Sequence, residues 1–124
     1  MRSLIVLVAL AALLSACSQS VSMTEADDGS SVTLEVGQEL EVSLPANPST
    51  GFGWTVVIGD ASVLEQVGEA EFVTESEDLV GAGGVLTMRF VALAEGTTEL
   101  RLDYERSFED VEPEETFTLD VTVG

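Results

Sequence analysis

Apolar and polar residues alternate with a period of two along most of the chain from Ser31 onward. Val32 and Leu34, for example, alternate with Thr33 and Glu35, and the same alternation returns in later segments separated by turn-forming residues. This period is that of β-strands with one buried and one wet face. It predicts an all-β fold, an antiparallel β-sandwich of about seven strands. The expected strands are 31–36, 39–45, 53–58, 69–75, 84–93, 98–105 and 115–123, and one stretch, 61–67, is compatible with a helical turn.

The N-terminal residues have the pattern of a secretion signal. The first three residues, Met1-Arg2-Ser3, carry one positive charge and precede an apolar run of 11 residues, 4–14. This run is shorter than the roughly 20 residues of a membrane-spanning helix. The run ends in Leu14-Ser15-Ala16-Cys17, which resembles the lipobox of bacterial lipoproteins. That resemblance implies cleavage before Cys17 and lipid attachment to its sulfur. Ordinary signal cleavage that leaves a free thiol is the alternative.

These patterns divide the chain into three parts. Residues 1–16 are the expected lipoprotein signal peptide, and residues 31–124 form the expected β-sandwich domain. Residues 17–30 are expected to be a lipid-anchored flexible tether, because they are polar and acidic and show no apolar period. Thirteen flexible residues after Cys17 would reach on the order of 20 Å. The expected location is the bacterial cell envelope, on its periplasmic or cell-surface face.

Composition excludes several kinds of chemistry. The chain has no His and one Cys, so it offers no His-based triad, no Cys/His zinc cluster and no internal disulfide, and we expect neither a metal nor a cofactor. Four basic residues against 23 acids give a formal charge of −19, which leaves no basic face for nucleic acid. About 90 ordered residues do not suggest a cleft for acid-pair chemistry, so no enzyme is expected. The high like charge favours a monomer at low salt.

Three loops between the predicted strands carry the most information. Asn47-Pro48-Ser49-Thr50-Gly51 combines a fixed Pro φ, a permissive Gly and three side chains that hydrogen-bond turns, so we expect it to be stiff. Gly81-Ala82-Gly83-Gly84 would let another backbone come close. Glu105-Arg106-Ser107-Phe108-Glu109 places an aromatic beside an Arg, a common kind of interface anchor. Each loop also has a purely structural interpretation. The first is compatible with a plain turn between strands, the second with a flexible hairpin, and the third with a Phe side chain that packs back on the sandwich.

Taken together, the loops resemble those of the chagasin family, inhibitors of papain-like cysteine proteases. The family pattern is an Asn-Pro-Thr-Thr-Gly-Tyr/Phe loop followed by Trp, a Gly-x-Gly-Gly loop, and an Arg-Pro-Trp-Glu loop. The first loop matches with Ser49 in place of Thr, and Phe52 and Trp54 continue the match. The second matches at its three glycines, whereas the third has Ser107 for Pro and Phe108 for Trp. Order and spacing hold across essentially the whole predicted domain.

The resemblance implies an immunoglobulin-like sandwich that inhibits its protease reversibly and without a covalent bond. The first loop would block the catalytic centre, and the other two would grip the sides of the cleft. Phe108 would be the apolar anchor, with Arg106 packing beside it or ordering the loop, and Trp54 is expected to be structural. The implied protease-binding residues are Asn47, Pro48, Ser49, Thr50, Gly51, Phe52, Gly81, Ala82, Gly83, Gly84, Arg106, Ser107 and Phe108.

A different function remains open at this point. A lipid-anchored envelope adhesion or structural β-sandwich, using the same loops on a non-protease partner, explains the fold and the anchor equally well. The altered third loop favours this alternative, but it leaves the match of all three loops unexplained.

The acid excess around the third loop has three open interpretations. The acids there are Glu105, Glu109, Asp110, Glu112, Glu114 and Glu115. They are compatible with a solvated surface that keeps the protein soluble, or with adaptation to high salt, which the absence of Lys suggests. The third interpretation is steering toward a basic protease, which requires an association rate that falls steeply with salt, or weak Ca²⁺ binding. No EF-hand spacing is present, so we expect no dedicated metal site.

Overall fold

The computed structural model describes residues 20–74, 83–106 and 111–124. In this part of the chain, eight strands form two four-stranded sheets and there is no α-helix, which confirms the predicted all-β sandwich. None of these residues belongs to a helix long and apolar enough to cross a membrane. The strands are β1 Val21–Thr24, β2 Ser30–Leu34, β3 Glu39–Ala46, β4 Gly53–Ile58, β5 Leu64–Thr74, β6 Gly84–Ala92, β7 Gly96–Glu105 and β8 Glu115–Val123.

The two sheets are mixed rather than purely antiparallel. The first has the order β1-β3-β6-β5 and the second the order β2-β8-β7-β4. The predicted antiparallel pairing is wrong at two edges, because β1 pairs in parallel with β3 and β2 pairs in parallel with β8. The reason is that the N-terminal segment runs alongside β3 in β1, crosses to the other sheet through a short 3₁₀ turn, Glu25–Asp27, and runs back in the opposite direction alongside β8 in β2.

The core lies between the sheets and consists mainly of alternate side chains from β2, β3, β6, β7 and β8. In β3, for example, Leu40, Val42 and Leu44 are buried while their polar neighbours face solvent. Each such side chain stabilises the fold by about 1.5–3 kcal/mol. The buried apolar residues are Val32, Leu34, Leu40, Val42, Leu44, Ala46, Val63, Leu64, Met88, Phe90, Ala92, Leu100, Leu102, Phe117, Leu119, Val121 and Val123.

Part of the predicted flexible tether belongs to the sandwich. Val21 and Met23 pack against the core, and β1 adds an edge to the first sheet. The following turn is tied to β8, where Asp28 Oδ1 accepts the N–H of Thr118 at 2.9 Å and the N–H of Gly29 donates to the Thr118 carbonyl at 2.8 Å. The expectation of a tether is therefore wrong from Val21 onward, and the ordered domain begins ten residues earlier than predicted.

Strand β5 also begins earlier than predicted, at Leu64 instead of residue 69. Residues 61–63 form a turn and not a helix, since Asp60 Oδ1 accepts the N–H and the hydroxyl of Ser62 at 3.0 and 2.5 Å. These two hydrogen bonds lower the pKa of Asp60 below its usual value. Further along β5, the pairing with β6 shifts between Val67 and Glu71, and Gly68 adopts a φ of 66°. This bulge interrupts the alternation and explains why the first half of β5 was missed.

The outer edge of β5 is long and acidic. The strand has 11 residues and lies at the end of the first sheet, paired on one side only. Glu65, Glu69 and Glu71 are exposed along it. Glu71 shares the guanidinium of Arg89 with Glu41, at 3.8 and 3.6 Å. Because these pairs are solvent-exposed, they add little to stability.

Gly84 occupies a place where a side chain does not fit, and this predicts a measurable contrast between two glycines. A Cβ at Gly84 would lie 2.1 Å from the Val73 carbonyl oxygen, whereas a Cβ at Gly53 meets nothing within 4 Å. Gly84→Ala must push β5 away from β6, so we expect it to lower the free energy of unfolding by about 1–3 kcal/mol. Gly53→Ala should stay within about 0.5 kcal/mol of wild type. Urea denaturation measures both, and equal effects would contradict the assigned strand contact.

Candidate functional site

The three loops leave the sandwich at the same end because of the pairing register. Ala46, the last residue of β3, pairs with Gly84, the first residue of β6, which also pairs with Thr74, the last residue of β5. The first loop therefore starts beside the second. Gly53, the first residue of β4, pairs with Glu105, the last residue of β7. The first loop therefore ends beside the start of the third.

The first loop is a compact turn held by its own polar groups. Asn47 Oδ1 accepts the N–H of Ser49 at 3.3 Å and its hydroxyl at 2.6 Å. The Thr50 hydroxyl donates to the Asn47 carbonyl at 2.7 Å, and the N–H of Gly51 donates to the Pro48 carbonyl at 3.1 Å. Pro48–Thr50 form one 3₁₀ turn, and Gly51 closes it at a φ of 85°, which favours glycine. The tip, residues 48–51, is exposed.

Arg106 joins the start of the third loop to the first loop. Its Nε donates to the Thr50 carbonyl at 3.1 Å, and its guanidinium carbon lies 4.5 Å from the centre of the Phe52 ring. The rings of Phe52 and Tyr104 are stacked, with 5.2 Å between their centroids and 19° between their planes. The Trp54 ring also contacts Tyr104, with 4.8 Å between the ring centroids. The result is a continuous column of Arg106, Phe52, Tyr104 and Trp54, which we call the aromatic column. This contact with the first loop was not among the roles expected for Arg106, which were packing beside Phe108 or ordering the third loop, and Phe108 lies outside the described residues.

Phe52, which follows the tip of the first loop, and Trp54, in β4, pack between the loop and the body of the sandwich. Phe52 is half-buried between Arg106 and Tyr104. Trp54 is half-buried against the core, and its Nε1 donates to the Pro45 carbonyl at 3.0 Å. The structural role expected for Trp54 agrees with this position, and the bond to Pro45 ties β4 to the strand that precedes the loop.

The second loop approaches the start of the first loop at Gly83, and its last glycine, Gly84, lies against β5. A Cβ at Gly83 would lie 3.3 Å from the Ala46 carbonyl oxygen, and Gly84 is pressed against β5 as described above. The glycines predict that another backbone comes close to this loop. At Gly84, that backbone is β5 of the same chain.

Five of the residues assigned from the sequence lie outside the described residues: Cys17, Gly81, Ala82, Ser107 and Phe108. The structure places the other nine, Asn47, Pro48, Ser49, Thr50, Gly51, Phe52, Gly83, Gly84 and Arg106, at the three-loop end.

A shallow hollow lies between the loops, and part of its wall was not foreseen from the sequence. Asn47, Gly83 and Tyr104 line it together with Glu25 and Glu115. Glu25 comes from the segment expected to be a tether, and it reaches this end because β1 runs parallel to β3. No sequence signal marks it, since its position depends on a four-residue strand. Among residues 20–74, 83–106 and 111–124, no group of three or more Asp, Glu, His or Cys side chains could hold a metal ion.

Comparison with protein families matches residues 33–123 to the model described as "Chagasin family peptidase inhibitor I42". The chain belongs to the chagasin family. Among curated proteins, it is 33% identical over 93 residues to Chagasin of Trypanosoma cruzi, a match that covers 70% of this chain and 82% of that protein.

Two solved structures extend this comparison to the fold. The crystal structure of the cysteine protease inhibitor EhICP2 from Entamoeba histolytica superimposes with a TM-score of 0.75 at 23% identity, covering 84% of this chain and 95% of that one. PbICP-C, solved in complex with falcipain-2, superimposes with a TM-score of 0.55 at 18% identity, covering 86% and 91%. At these identities, the two structures show that the sandwich fold is shared.

The contacts of Arg106 predict that it restrains the first loop. Arg106→Ala removes the hydrogen bond to Thr50 and the cation–π contact with Phe52, which together stabilise the loop by about 1–2 kcal/mol. We therefore expect the backbone amide of Gly51 to exchange its hydrogen roughly 5–30-fold faster. Arg101→Ala is the matched control, because it removes the same charge from a side chain paired with Asp103 on the second sheet. Equal exchange rates in both variants, measured by NMR, would contradict the restraint.

Proposed function

We propose that this chain is a reversible, non-covalent inhibitor of papain-like cysteine proteases and that its three-loop end fills the protease cleft. The observation that carries the proposal is the family match over residues 33–123, which includes the first loop and the described ends of the other two. The complex of PbICP-C with falcipain-2 supports the class of target.

The first loop suits the part of the wedge that blocks the catalytic centre. Its tip is exposed, and six hydrogen bonds within the loop, among them those of Asn47 and Thr50, hold its shape before any partner arrives. Ordering a flexible segment would otherwise oppose association, at about 0.5–1.5 kcal/mol for each immobilised side chain. A closed 3₁₀ turn also differs from an extended peptide, so the loop does not present itself as a substrate strand. Inhibition by occupancy then needs no nucleophile from the inhibitor.

The other two loops are proposed to hold the sides of the cleft. Gly83 lets the second loop lie close to the first, and we propose that the glycine-rich segment 81–84 pairs through its backbone with an extended segment of the enzyme. Phe108 is the proposed apolar anchor of the third loop. Arg106 acts on the same end by fixing the first loop through Thr50.

We also propose that Cys17 is acylated and that the mature chain is anchored in the bacterial cell envelope as a monomer. Support for the anchor comes from the positively charged start, the 11-residue apolar run and the Leu14-Ser15-Ala16-Cys17 motif. Two or three acyl chains bind a membrane stably, whereas a single chain binds only marginally.

Replacing the tip of the first loop tests the site. Thr50→Arg combined with Gly51→Glu adds bulk and charge where the enzyme must fit, and we expect it to weaken inhibition of papain roughly 100-fold or more, about 2.8 kcal/mol. Thr122→Arg with Gly124→Glu is the matched control at the opposite end of the sandwich, where both residues are exposed. Circular dichroism and urea denaturation verify that both variants fold. Unchanged inhibition by the first variant would overturn the assignment of the first loop.

Titration of a papain-like protease with the wild-type chain distinguishes the inhibitor function from the alternative function of an envelope adhesin or structural sandwich. Reversible inhibition of papain or a cathepsin L-like protease at sub-micromolar concentration supports the proposal. A folded chain that fails to inhibit at tens of micromolar would contradict it and favour a non-protease partner for the loops.

Replacing the single Cys tests the anchor. In a bacterial host that processes lipoproteins, we expect the wild-type chain in the membrane fraction, with the mass of Cys17–Gly124 increased by its acyl chains. Cys17→Ser removes the only sulfur that can be acylated, so this variant should lose the added mass and leave the membrane fraction. Gln19→Ala serves as the control and should behave like wild type. A Cys17→Ser variant with unchanged fractionation would contradict acylation.

A further inference from the structure

The direction of β1 fixes the end of the sandwich from which the N-terminus emerges. Val21 pairs with Leu40 and Thr24 pairs with Ser43, so β1 runs parallel to β3. Strand β3 runs toward the first loop, which follows Ala46. Val21 therefore lies at the end opposite the three loops.

The separation between Val21 and the loops follows from the strand geometry. Six residue steps of β3 separate Leu40 from Ala46, and a strand rises about 3.3 Å per residue, which gives about 20 Å. The exposed tip of the first loop lies beyond this level. The loops are thus more than about 20 Å from the point where the chain enters the domain.

The covalent path from Cys17 to the domain is short. Four residue steps join Cys17 to Val21, and a fully extended chain spans at most about 14 Å over four residues. A membrane-bound Cys17 could not reach Val21 if the loops pointed at the bilayer, because Val21 would then stand more than about 20 Å above it. The ordering of β1 is what creates this restriction, since a tether that continued to residue 30 would have been long enough.

The charge of the end opposite the loops gives no reason for the domain to bind lipid headgroups directly. The turns there carry Glu35, Asp60 and Glu95, all exposed, and no Lys or Arg lies within residues 35–38, 59–63 or 93–95. Anionic lipids attract basic segments and repel acidic ones. The acyl chains alone would therefore hold the domain at the membrane.

We propose that the acylated chain stands on its loop-free end and presents the three loops away from the bilayer, toward proteases that approach from the aqueous phase. The proposal rests on the anchor and the inhibitory site proposed above. It adds that the anchored inhibitor engages a soluble protease without leaving the membrane.

The single Cys and the single Trp of the chain make the orientation measurable. The mature chain, residues 17–124, contains every strand of the sandwich, and Cys17 can be coupled chemically to a maleimide lipid in phosphatidylcholine vesicles. Trp54 follows the first residue of β4 at the three-loop end and serves as the donor for energy transfer to a dansyl headgroup in the vesicle. The matched control is Cys17→Ser with Glu112→Cys, coupled to the same lipid. Glu112 is exposed and lies shortly before β8, at the three-loop end.

The proposal predicts energy transfer from Trp54 that is several-fold weaker for coupling at residue 17 than for coupling at residue 112. It also predicts that the chain coupled to vesicles through residue 17 inhibits soluble papain as strongly as the same chain does when it is free in solution. Coupling at residue 112 should weaken inhibition at least tenfold, about 1.4 kcal/mol, relative to its own free form. Equal energy transfer from the two anchoring positions would overturn the orientation.

The two readouts separate this proposal from those on which it rests. If the free chain does not inhibit papain, the proposed function fails, while the comparison of energy transfer still decides the orientation. Chemical coupling supplies the lipid, so the result does not depend on whether a cell acylates Cys17.

Discussion

Burial of alternate side chains between the two sheets is the constraint on which the rest of the molecule depends. A slip of one residue in β3 would move Leu40, Val42 and Leu44 from the core to solvent, so the register of each strand is strongly fixed. Once the register is fixed, the ends of β3, β5 and β7 and the starts of β4, β6 and β8 meet at one end of the sandwich. The position of the three loops is thus a property of the core, whereas their shape is a property of their own residues.

The first loop shows how these two sources of order combine. Local hydrogen bonds from Asn47 and Thr50 set the turn, but such a turn could still swing as a unit about its ends. Arg106 reaches it from another strand and fixes its orientation through Thr50 and Phe52. The aromatic column below carries that contact onto β4 and β7. A rigid wedge therefore depends on residues far from its tip, including some that need not touch an enzyme.

The sequence predicted most of the scaffold, because a period of two is a strong signal wherever one sheet face is buried. It missed β1, whose four residues offer only two apolar positions, and it placed the start of β5 too late because the bulge at Gly68 breaks the alternation. In the site, the motif predicts the loop residues, and the structure brings the described ones together at one end of the sandwich. The contact between Arg106 and Thr50 spans 56 positions and depends on the pairing of β4 with β7, so no local pattern could reveal it.

The acidic outer edge of β5 has a consequence for a protein held at a surface. The proposed lipid anchor would confine copies of the chain to two dimensions, where neighbours would meet more often than in solution. An unpaired strand edge is then a hazard, because it can recruit the same edge of the next copy into a continuous sheet. Such a pairing would bring the carboxylates of Glu65, Glu69 and Glu71 close to those of the neighbouring copy, and the bulge next to Gly68 interrupts the regular edge. At the density that the proposed anchor would produce, the acidic side chains of β5 would oppose aggregation through this strand.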